Sequence, residues 1–180
     1  MANEPPVWVK LRERHARNHQ IFTLRTYDVA DPRDGREYVR TVIDAPDWVN
    51  VVAVTTSNEL VLVRQFRFGT WANSLEVPGG VVDPGEDPLI TATRELEEET
   101  GYRPASVTLV GVSHPNPAIQ SNRLHSYLAE GCQLLNQARP DVSEDLRVEL
   151  VPRASLPQLV RSGQITHSLV LATLFFTTLR

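Results

Sequence analysis

The sequence contains one cysteine, Cys132, among its 180 residues, and it has no long run of apolar residues. A single cysteine excludes an intrachain disulfide and a zinc site built from cysteines. The apolar runs, such as residues 169–172, are far shorter than the ~20 residues that a membrane-spanning helix needs. The first residues also lack the cationic and apolar segments of a signal peptide. We therefore expect a cytoplasmic protein that does not enter a membrane.

An excess of positive charge is also missing. The chain carries 18 Lys and Arg against 22 Asp and Glu, which gives a formal net charge of −4. Because no general basic surface is expected, nucleic acid is not a predicted partner. A polyanionic small molecule would have to be bound by a few local cations or by a metal ion. The length and the 41% apolar content suit a single globular domain with a core.

Strand and helix patterns mix along the chain without regular alternation. Segments rich in Val, Thr and aromatic residues, separated by turn residues, predict strands, and residues 75–87, dense in Pro and Gly, predict a loop. This order favours an α/β protein with a mixed sheet over a doubly wound parallel one. The predicted strands are 21–29, 38–43, 49–55, 60–68, 107–112, 124–129 and 146–151, and the predicted helices are 88–100, 154–161 and 167–179.

The first predicted helix has clear ends. Asp87 suits the N-cap, Pro88 the first helical position and Gly101 the C-terminal cap. A mostly apolar stripe along this helix predicts the face that packs on the core. The stripe consists of Leu89, Ala92, Thr93 and Leu96.

The second half of this helix is acidic. Glu95, Glu98 and Glu99 stand at i, i+3 and i+4, so their side chains share one face. Like charges at this spacing repel by a few tenths of a kcal/mol per pair, and the helix dipole disfavours anions in the last turn. The pattern fits a solvated acidic face, and it also fits an oxygen-ligand site for Mg²⁺ or Mn²⁺, which would cancel the repulsion. Composition alone leaves both interpretations open.

A longer motif surrounds these glutamates and resembles the Nudix box. In that box a glycine, a glutamate and an Arg-Glu-aliphatic-x-Glu-Glu-x-Gly-hydrophobic segment stand at fixed spacing, and every fixed position matches. The flanking segments 64–67 and 76–80 resemble the branch of the family that hydrolyses ADP-ribose and other nucleoside diphosphate sugars. The matching residues are Gly80, Glu86, Arg94, Glu95, Leu96, Glu98, Glu99, Gly101 and Tyr102.

The resemblance implies an α/β/α sandwich that carries a loop–helix–loop catalytic motif, with Mg²⁺ (or Mn²⁺) as the cofactor. Glu95 and Glu99 are then the expected principal metal ligands, Glu98 shares a second ion or bridges, and Gly79 contributes its carbonyl oxygen. Water would attack one phosphorus of a pyrophosphate linkage, and the products would be a nucleoside monophosphate and a sugar phosphate. The expected partner is therefore a small nucleoside diphosphate sugar.

The resemblance also assigns roles beside the metal. Glu86 and Arg94 are expected to form a buried ion pair that fixes the loop on the helix, and Arg94 joins Glu98 among the candidate catalytic residues. Members of this branch carry a further catalytic carboxylate on an acidic loop well after the box. Here that region has fewer acids, and Glu144 is the candidate general base or additional ligand, with Asp141 second. An exposed loop carboxylate without a catalytic role fits the sequence as well.

Candidate substrate contacts lie on both sides of the box. Arginine forks bind phosphate bidentately, although arginines in such positions also form surface ion pairs. Pro117 occupies a position typical of members that hydrolyse ADP-ribose, and its loop is expected to face the sugar. A tryptophan at a strand start fits either a nucleobase stack or the core. The candidates are Trp48, Arg64, Arg67, Glu76, Asn116 and Arg123.

The motif also allows two alternatives to nucleotide-sugar hydrolysis. One is hydrolysis of oxidised nucleoside triphosphates, capped RNA or dinucleoside polyphosphates, which the flanks of the box and Pro117 disfavour. The other is a sensor that no longer catalyses, which the intact box glutamates disfavour. Residues 1–48 are expected to be an N-terminal strand region that supports a homodimer, and residues 49–180 the Nudix hydrolase domain, within one globular domain.

Overall fold

The computed structural model describes residues 4–139 and 145–179. The chain divides into two compact units. One comprises Met1–Pro46 and His114–Asn122, and the other comprises Asp47–Ser113 and Arg123–Arg180. The division after Pro46 lies beside the boundary expected at residue 48, and the segment His114–Asn122 belongs with the N-terminal unit rather than with the sequence around it.

The N-terminal unit contains an antiparallel sheet whose strands, in spatial order, are β1 (Val9–Asn18), β2 (Thr23–Ala30) and β3 (Glu37–Asp44). The predictions at 21–29 and 38–43 are confirmed as β2 and β3. Strand β1 was not predicted, because most of its residues are charged or polar and all ten are exposed, so no alternation of buried and exposed positions marks it. A buried carboxylate, Asp28, accepts hydrogen bonds from Arg12 and Arg14 of this strand.

The second unit is built around an eight-stranded mixed sheet. Its strands are β4 (Trp48–Thr55), β5 (Glu59–Arg67), β6 (Ala72–Glu76), β7 (Gly79–Val81), β8 (Tyr102–Arg103), β9 (Ser106–Ser113), β10 (Leu124–Leu134) and β11 (Arg147–Pro152). The order is β11-β5-β4-β10-β8, while β6 pairs with β5, β7 with β4 and β9 with β10. Strand β10 runs parallel to β4, and the other pairs are antiparallel. The predicted mixed sheet is confirmed.

The prediction that residues 75–87 form a loop is wrong for its first part. Strand β6 continues to Glu76, and the Gly79–Val81 segment pairs with Trp48–Asn50 of β4. Proline and glycine usually interrupt strands, but glycine in a short strand also permits close approach of another group. This pairing places Gly79 and Gly80, the first glycine of the box, inside the sheet.

The helices cover both faces of this sheet. They are α1 (Pro88–Thr100), α2 (Leu156–Arg161), which follows a 3-10 turn at Arg153–Ser155, and α3 (Ser168–Thr178). The predicted caps of α1 are confirmed: the Asp87 side chain accepts a hydrogen bond from Leu89 N at 2.8 Å, and Gly101 is left-handed with φ 75°. In the described residues, no helix is long and apolar enough to cross a membrane.

Two layers of core residues lie between the helices and the sheet. One layer joins α1 to the first face of the sheet, and the other joins α2 and α3 to the second face, so the second unit is the predicted α/β/α sandwich. The layer under α1 includes Val49, Val51, Val61, Ala92 and Leu96. The layer under α2 and α3 includes Val52, Leu60, Leu62, Leu75, Val170 and Leu174.

Candidate active site

The site begins where β7 meets α1. Gly79 N donates a hydrogen bond to Glu99 Oε2 at 3.0 Å. A β-carbon added to Gly80 would lie 2.5 Å from Oε1 of Glu95, so the carboxylate occupies the space that any side chain at Gly80 would need. Two glutamates one helical turn apart are therefore held against two consecutive glycines of a strand. Carboxylate and carbonyl oxygens at this position are the donor types that Mg²⁺ and Mn²⁺ prefer.

The buried stripe of α1 differs from the stripe that the sequence predicted. Leu89 is exposed and Thr93 is half-buried, whereas Ala92, Leu96 and Glu99 are buried and follow one another at i, i+4 and i+7. Glu99 is only 3% exposed. A glutamate in a core-facing position costs free energy unless it is bonded. The buried stripe thus leads directly into the carboxylate site.

Arg94 links three of the box glutamates. Its guanidinium bonds Glu86 Oε2 at 3.2 Å, Glu95 Oε1 at 3.0 Å and Glu98 Oε2 at 2.9 Å. The predicted Glu86–Arg94 pair is confirmed, but the prediction that it is buried is wrong, since about a third of the Arg94 side chain is exposed. The Arg94 guanidinium, together with the Thr91 hydroxyl, lowers the pKa of Glu86 and keeps it ionised.

The acidic side chains are held by N–H donors rather than gathered around one point. Across residues 4–139 and 145–179, no group of three or more His, Cys, Asp or Glu side chains stands close enough together to enclose an ion. Arg94 contacts Glu95 and Glu98, and Gly79 N contacts Glu99. Three glutamates share one arginine here and Glu99 adds a fourth carboxylate, so the local charge remains negative. The oxygen-rich donor set and the side-chain-free glycines fit a divalent cation.

Glu97, the remaining glutamate of residues 95–99, faces away from this cluster. It forms a bidentate pair with Arg103 at 2.8 and 2.9 Å, and the Arg103 guanidinium lowers the pKa of Glu97. Glu97 therefore lies outside the cluster that Arg94 holds together. It provides a natural control for its neighbours.

Arg67 and Glu76 form a second ion pair on the face that α1 covers. Their paired distances are 2.9 and 2.8 Å, and Glu76 is only 3% exposed. Burial by itself raises the pKa of Glu76, but the Arg67 guanidinium reverses this, so the net shift is downward. Side chains alternate along a strand, so Arg67 and Val63 lie on the same face of β5 as Val61. Glu76 is the register partner of Val63 and shares that face. Because Val61 belongs to the layer under α1, Arg67 and Glu76 both lie on the α1 side of the sheet.

Arg64 is separated from Arg67 by the sheet itself. Arg64 and Leu62 are two residues apart on β5, so their side chains lie on the same face of the sheet. Leu62 belongs to the layer under α2 and α3. On that face Arg64 forms a bidentate pair with Glu149 of β11, at 2.5 and 3.1 Å. The structure therefore does not bring the two arginines together, and only Arg67 shares a face with the box helix.

A polar cluster that the sequence did not indicate lies at the start of β4. Asp47 Oδ1 accepts a hydrogen bond from Arg123 N at 2.8 Å, and Asp47 Oδ2 lies 2.9 Å from His125 Nε2. The Asp47 carbonyl oxygen accepts a hydrogen bond from Val82 N at 2.9 Å. Burial raises the pKa of Asp47, but the bonds to His125 and Arg123 outweigh it and lower the net value. Asp47 thus connects β4, β10 and the start of the box loop, and it holds Arg123, one of the predicted substrate contacts, near Oδ2 at 3.9 Å.

The other predicted contacts have simpler surroundings. Trp48 is half-buried at the start of β4, and its backbone N donates to Arg123 O at 2.9 Å. In the N-terminal unit, Asn116 is exposed, and its carbonyl accepts hydrogen bonds from the backbone N atoms of Ile119 and Gln120. Glu144 and Asp141, the candidates for the general base, lie outside the described residues.

Comparisons with known proteins give the family that the chain resembles. A family model for the NUDIX domain matches residues 46–171. The chain is 32% identical over 145 residues to the ADP-ribose pyrophosphatase of Bacillus subtilis (strain 168), which covers 78% of each protein. It is 29% identical over 157 residues to the GDP-mannose pyrophosphatase of Salmonella arizonae, covering 80% of this chain and 81% of that protein.

The fold comparison points the same way. A crystal structure described as an ADP compounds hydrolase matches with a TM-score of 0.86, covering 98% of this chain and 95% of that one. At 22% identity this likeness is evidence for the fold. The box motif, its placement on β7 and α1, and the family match over most of the chain lead to one conclusion: this protein belongs to the Nudix family and is a pyrophosphohydrolase.

Proposed function

We propose that this enzyme hydrolyses the pyrophosphate linkage of ADP-ribose or related nucleoside diphosphate sugars, giving a nucleoside monophosphate and a sugar phosphate. The observation that carries the proposal is the placement of Glu95 and Glu99 against Gly79 and Gly80. An oxygen-donor site of this kind suits a cation that binds a diphosphate. The activities named for the B. subtilis and S. arizonae relatives support the choice of substrate class.

The cofactor that we propose is Mg²⁺, with Mn²⁺ as a substitute. Glu95, Glu99 and the Gly79 carbonyl would hold it. Glu98 would help to hold a second ion or would act as a bridging ligand. When bound, the ion polarises the phosphoryl oxygens and lowers the pKa of water. The chain itself keeps the carboxylates in place, because Gly79 N holds Glu99 and Arg94 holds Glu95 and Glu98.

The chain's residues would divide the remaining work. Arg67, on the face of the sheet that carries α1, would bind a phosphate, with Glu76 fixing the guanidinium plane. Glu144 would accept a proton from the attacking water, whose oxygen forms the new P–O bond as the bond from phosphorus to the bridging oxygen breaks. The departing phosphate keeps the bridging oxygen and its electron pair. Arg123 would contact the sugar, and Trp48 the nucleobase.

A substrate panel tests the proposed function. Purified protein with Mg²⁺ is offered ADP-ribose, GDP-mannose, UDP-glucose, a dinucleoside polyphosphate and deoxynucleoside triphosphates, and a coupled phosphatase reports the released monophosphates. We expect nucleoside diphosphate sugars to be turned over fastest, EDTA to abolish turnover and Mg²⁺ to restore it. Preference for triphosphates or dinucleoside polyphosphates would overturn the substrate assignment. Binding of ADP-ribose without any turnover would favour a sensor.

Three arginines should respond differently when they are neutralised. We expect Arg67→Met to raise KM for every substrate by roughly 10-fold or more, because a charged hydrogen bond to phosphate contributes about 1.5–3 kcal/mol. Arg64→Met should change KM much less, because Arg64 lies on the other face of β5 with Glu149. Arg123→Ala should change the ranking of the sugars. An unchanged ranking after Arg123→Ala, or equal effects of the Arg64 and Arg67 changes, would remove these roles.

The general base has its own test. We expect Glu144→Gln to lower kcat by a factor of about 10² to 10⁴, the range for loss of a positioned base. The KM should change little, since the substitution is nearly isosteric. Asp141→Asn, three residues earlier in the sequence, serves as the comparison. A loss of tenfold or less in Glu144→Gln would reject the role, and a large loss in Asp141→Asn alone would transfer it.

We also propose that the protein is a homodimer joined through its N-terminal unit. Strand β1 has an exposed face throughout, and several apolar side chains of β1 and β3 are exposed, with Val9 at 52%, Leu11 at 46% and Val39 at 46%. Exposed apolar surface of this kind favours association. Light scattering should give twice the mass of one chain, and Leu11→Glu should give monomers; a wild-type monomer would contradict the proposal.

The cytoplasm is the compartment that we propose. The lone cysteine, Cys132, is buried with a free thiol, which suits a reducing compartment. Immunodetection after cell fractionation tests this, and recovery of the protein outside the cytoplasmic fraction would contradict it.

A further inference from the structure

A polar network lies inside the apolar layer between the sheet and α3. Asn50 on β4, Ser126 on β10 and Thr173 on α3 are joined by hydrogen bonds, and both Ser126 and Thr173 are 0% exposed. Asn50 and Ser126 are register partners in the parallel β4–β10 pair. Their neighbours in this layer are aliphatic. Apolar residues of similar size would avoid the cost of burying polar groups, so the network calls for a reason beyond packing.

The donors in this network can be assigned. Thr173 Oγ1 donates its single hydrogen to Leu169 O at 2.9 Å, one turn back in α3. It therefore accepts from Asn50 Nδ2 at 3.2 Å and from Ser126 Oγ at 2.9 Å. An acceptor at Thr173 fixes which end of the Asn50 amide faces α3, since only Nδ2 can donate. The Asn50 Oδ1 atom must then point away from the helix.

Asn50 Oδ1 packs against Gly79, the residue that precedes the first glycine of the box. A β-carbon on Gly79 would lie 2.8 Å from this oxygen and would also meet the Val49 carbonyl oxygen. On its other side, Gly79 N donates to Glu99 Oε2 at 3.0 Å, and next to it the Pro78 carbonyl accepts Val51 N at 2.8 Å. The Gly79 peptide is thus confined between the Asn50 amide and the Glu99 carboxylate.

We propose that Asn50 is a positioning residue for the metal centre. Its amide, oriented by Thr173, sets the place of the Gly79 backbone relative to Glu99, so α3 takes part in the geometry of the site although it carries none of the candidate ligands. The inference rests on the proposed metal-dependent function. Partners that hold a ligand in place commonly contribute 10- to 100-fold to metal affinity, and this exceeds what loss of one packing contact at a distance would produce.

The test measures metal binding directly, by Mn²⁺ electron paramagnetic resonance titration, together with kcat and KM. The variants are Asn50→Leu, Thr173→Val and Thr173→Ser. The control is Thr177→Val on the same helix, whose hydroxyl donates to Leu174 O. We expect the Kd for Mn²⁺ to rise about 10-fold in Asn50→Leu and Thr173→Val, with kcat falling more than KM rises. Thr173→Ser, which keeps the hydroxyl, should restore binding, and Thr177→Val should match wild type.

The outcomes separate this inference from the proposed function. If wild type binds Mn²⁺ and hydrolyses its substrate, while Asn50→Leu and Thr173→Val melt earlier but bind Mn²⁺ with unchanged Kd, the network is structural and the inference is wrong. If wild type binds no Mn²⁺, the proposed metal site fails and this inference fails with it. Thr173→Val is nearly isosteric, so it decides the question even if Asn50→Leu does not fold.

Discussion

Replacing Glu99 with glutamine should lower kcat by roughly 10³-fold, the scale of the several kcal/mol that a correctly held metal contributes to the transition state. Glu99 is 3% exposed and accepts the Gly79 N–H. Glutamine keeps an oxygen that accepts this hydrogen bond, so the strand and helix should stay together. The negative charge needed for the cation is lost. Steady-state kinetics with saturating Mg²⁺ and ADP-ribose measure the effect.

Glu97→Gln is the matched control for this experiment. Glu97 stands on the same helix and is paired with Arg103, whereas Glu99 is bonded to Gly79 of β7. The two variants remove the same charge from the same helix, so they share any general effect on the helix dipole. We expect Glu97→Gln to keep kcat within about twofold of wild type, because an exposed ion pair contributes little. Equal losses in both variants would mean that Glu99 acts through general charge rather than as a ligand.

Gly80→Ala should lower kcat/KM by about 10²-fold or more. The added methyl group would meet the Glu95 carboxylate, with its β-carbon 2.5 Å from Oε1. The flexible end of the glutamate can move aside, so the fold should survive. The displaced oxygen would then no longer stand where the cation needs it, and misplacement of a reacting group by about 1 Å costs roughly 10²-fold. Mn²⁺ affinity and kcat/KM should therefore fall together, while the melting temperature changes little.

Gly69→Ala provides the comparison for Gly80→Ala. Apart from Gly69 and its two chain neighbours, no atom of the described residues lies within 4 Å of a β-carbon placed on Gly69, so the added methyl group has room. We expect wild-type kinetics from this variant. Full activity of Gly80→Ala as well would show that the Glu95 carboxylate is not needed at its observed position. A collapse in the melting temperature of Gly80→Ala would instead assign the glycine a structural role.

The catalytic helix is the element that the sequence predicted best. Its ends depend on Asp87, Pro88 and Gly101, and each acts on the backbone within a few residues of itself. The spacing of the glutamates along the helix is equally local. The face of the helix was predicted less well, because Leu89 resembles a core residue by composition but is exposed, whereas the buried position at i+7 is Glu99. Hydrophobicity alone could not identify a buried carboxylate.

Sequence patterns did not predict contacts between residues that are far apart along the chain. The Asp47–His125 contact joins positions 78 apart, and the Asn50–Thr173 bond joins positions 123 apart. No local spacing marks either pair, because they meet only when β4, β10 and α3 have assembled. The pairing of β7 with β4 belongs to the same class, since Pro and Gly at 78–80 indicate a turn until a neighbouring strand is available. The opposite placement of Arg64 and Arg67 follows from strand alternation once β5 has its bounds.

The sequence alone predicts the capped helix, the three carboxylates on one of its faces and the family motif, because these depend on periodicity and on spacing along the chain. Which atoms those carboxylates meet depends on tertiary contacts. Gly80 stands against Glu95, Gly79 N bonds Glu99, and Arg94 is shared among Glu86, Glu95 and Glu98. These contacts depend on the close approach of a strand and a helix, and that distance is set by the packing of the whole sheet.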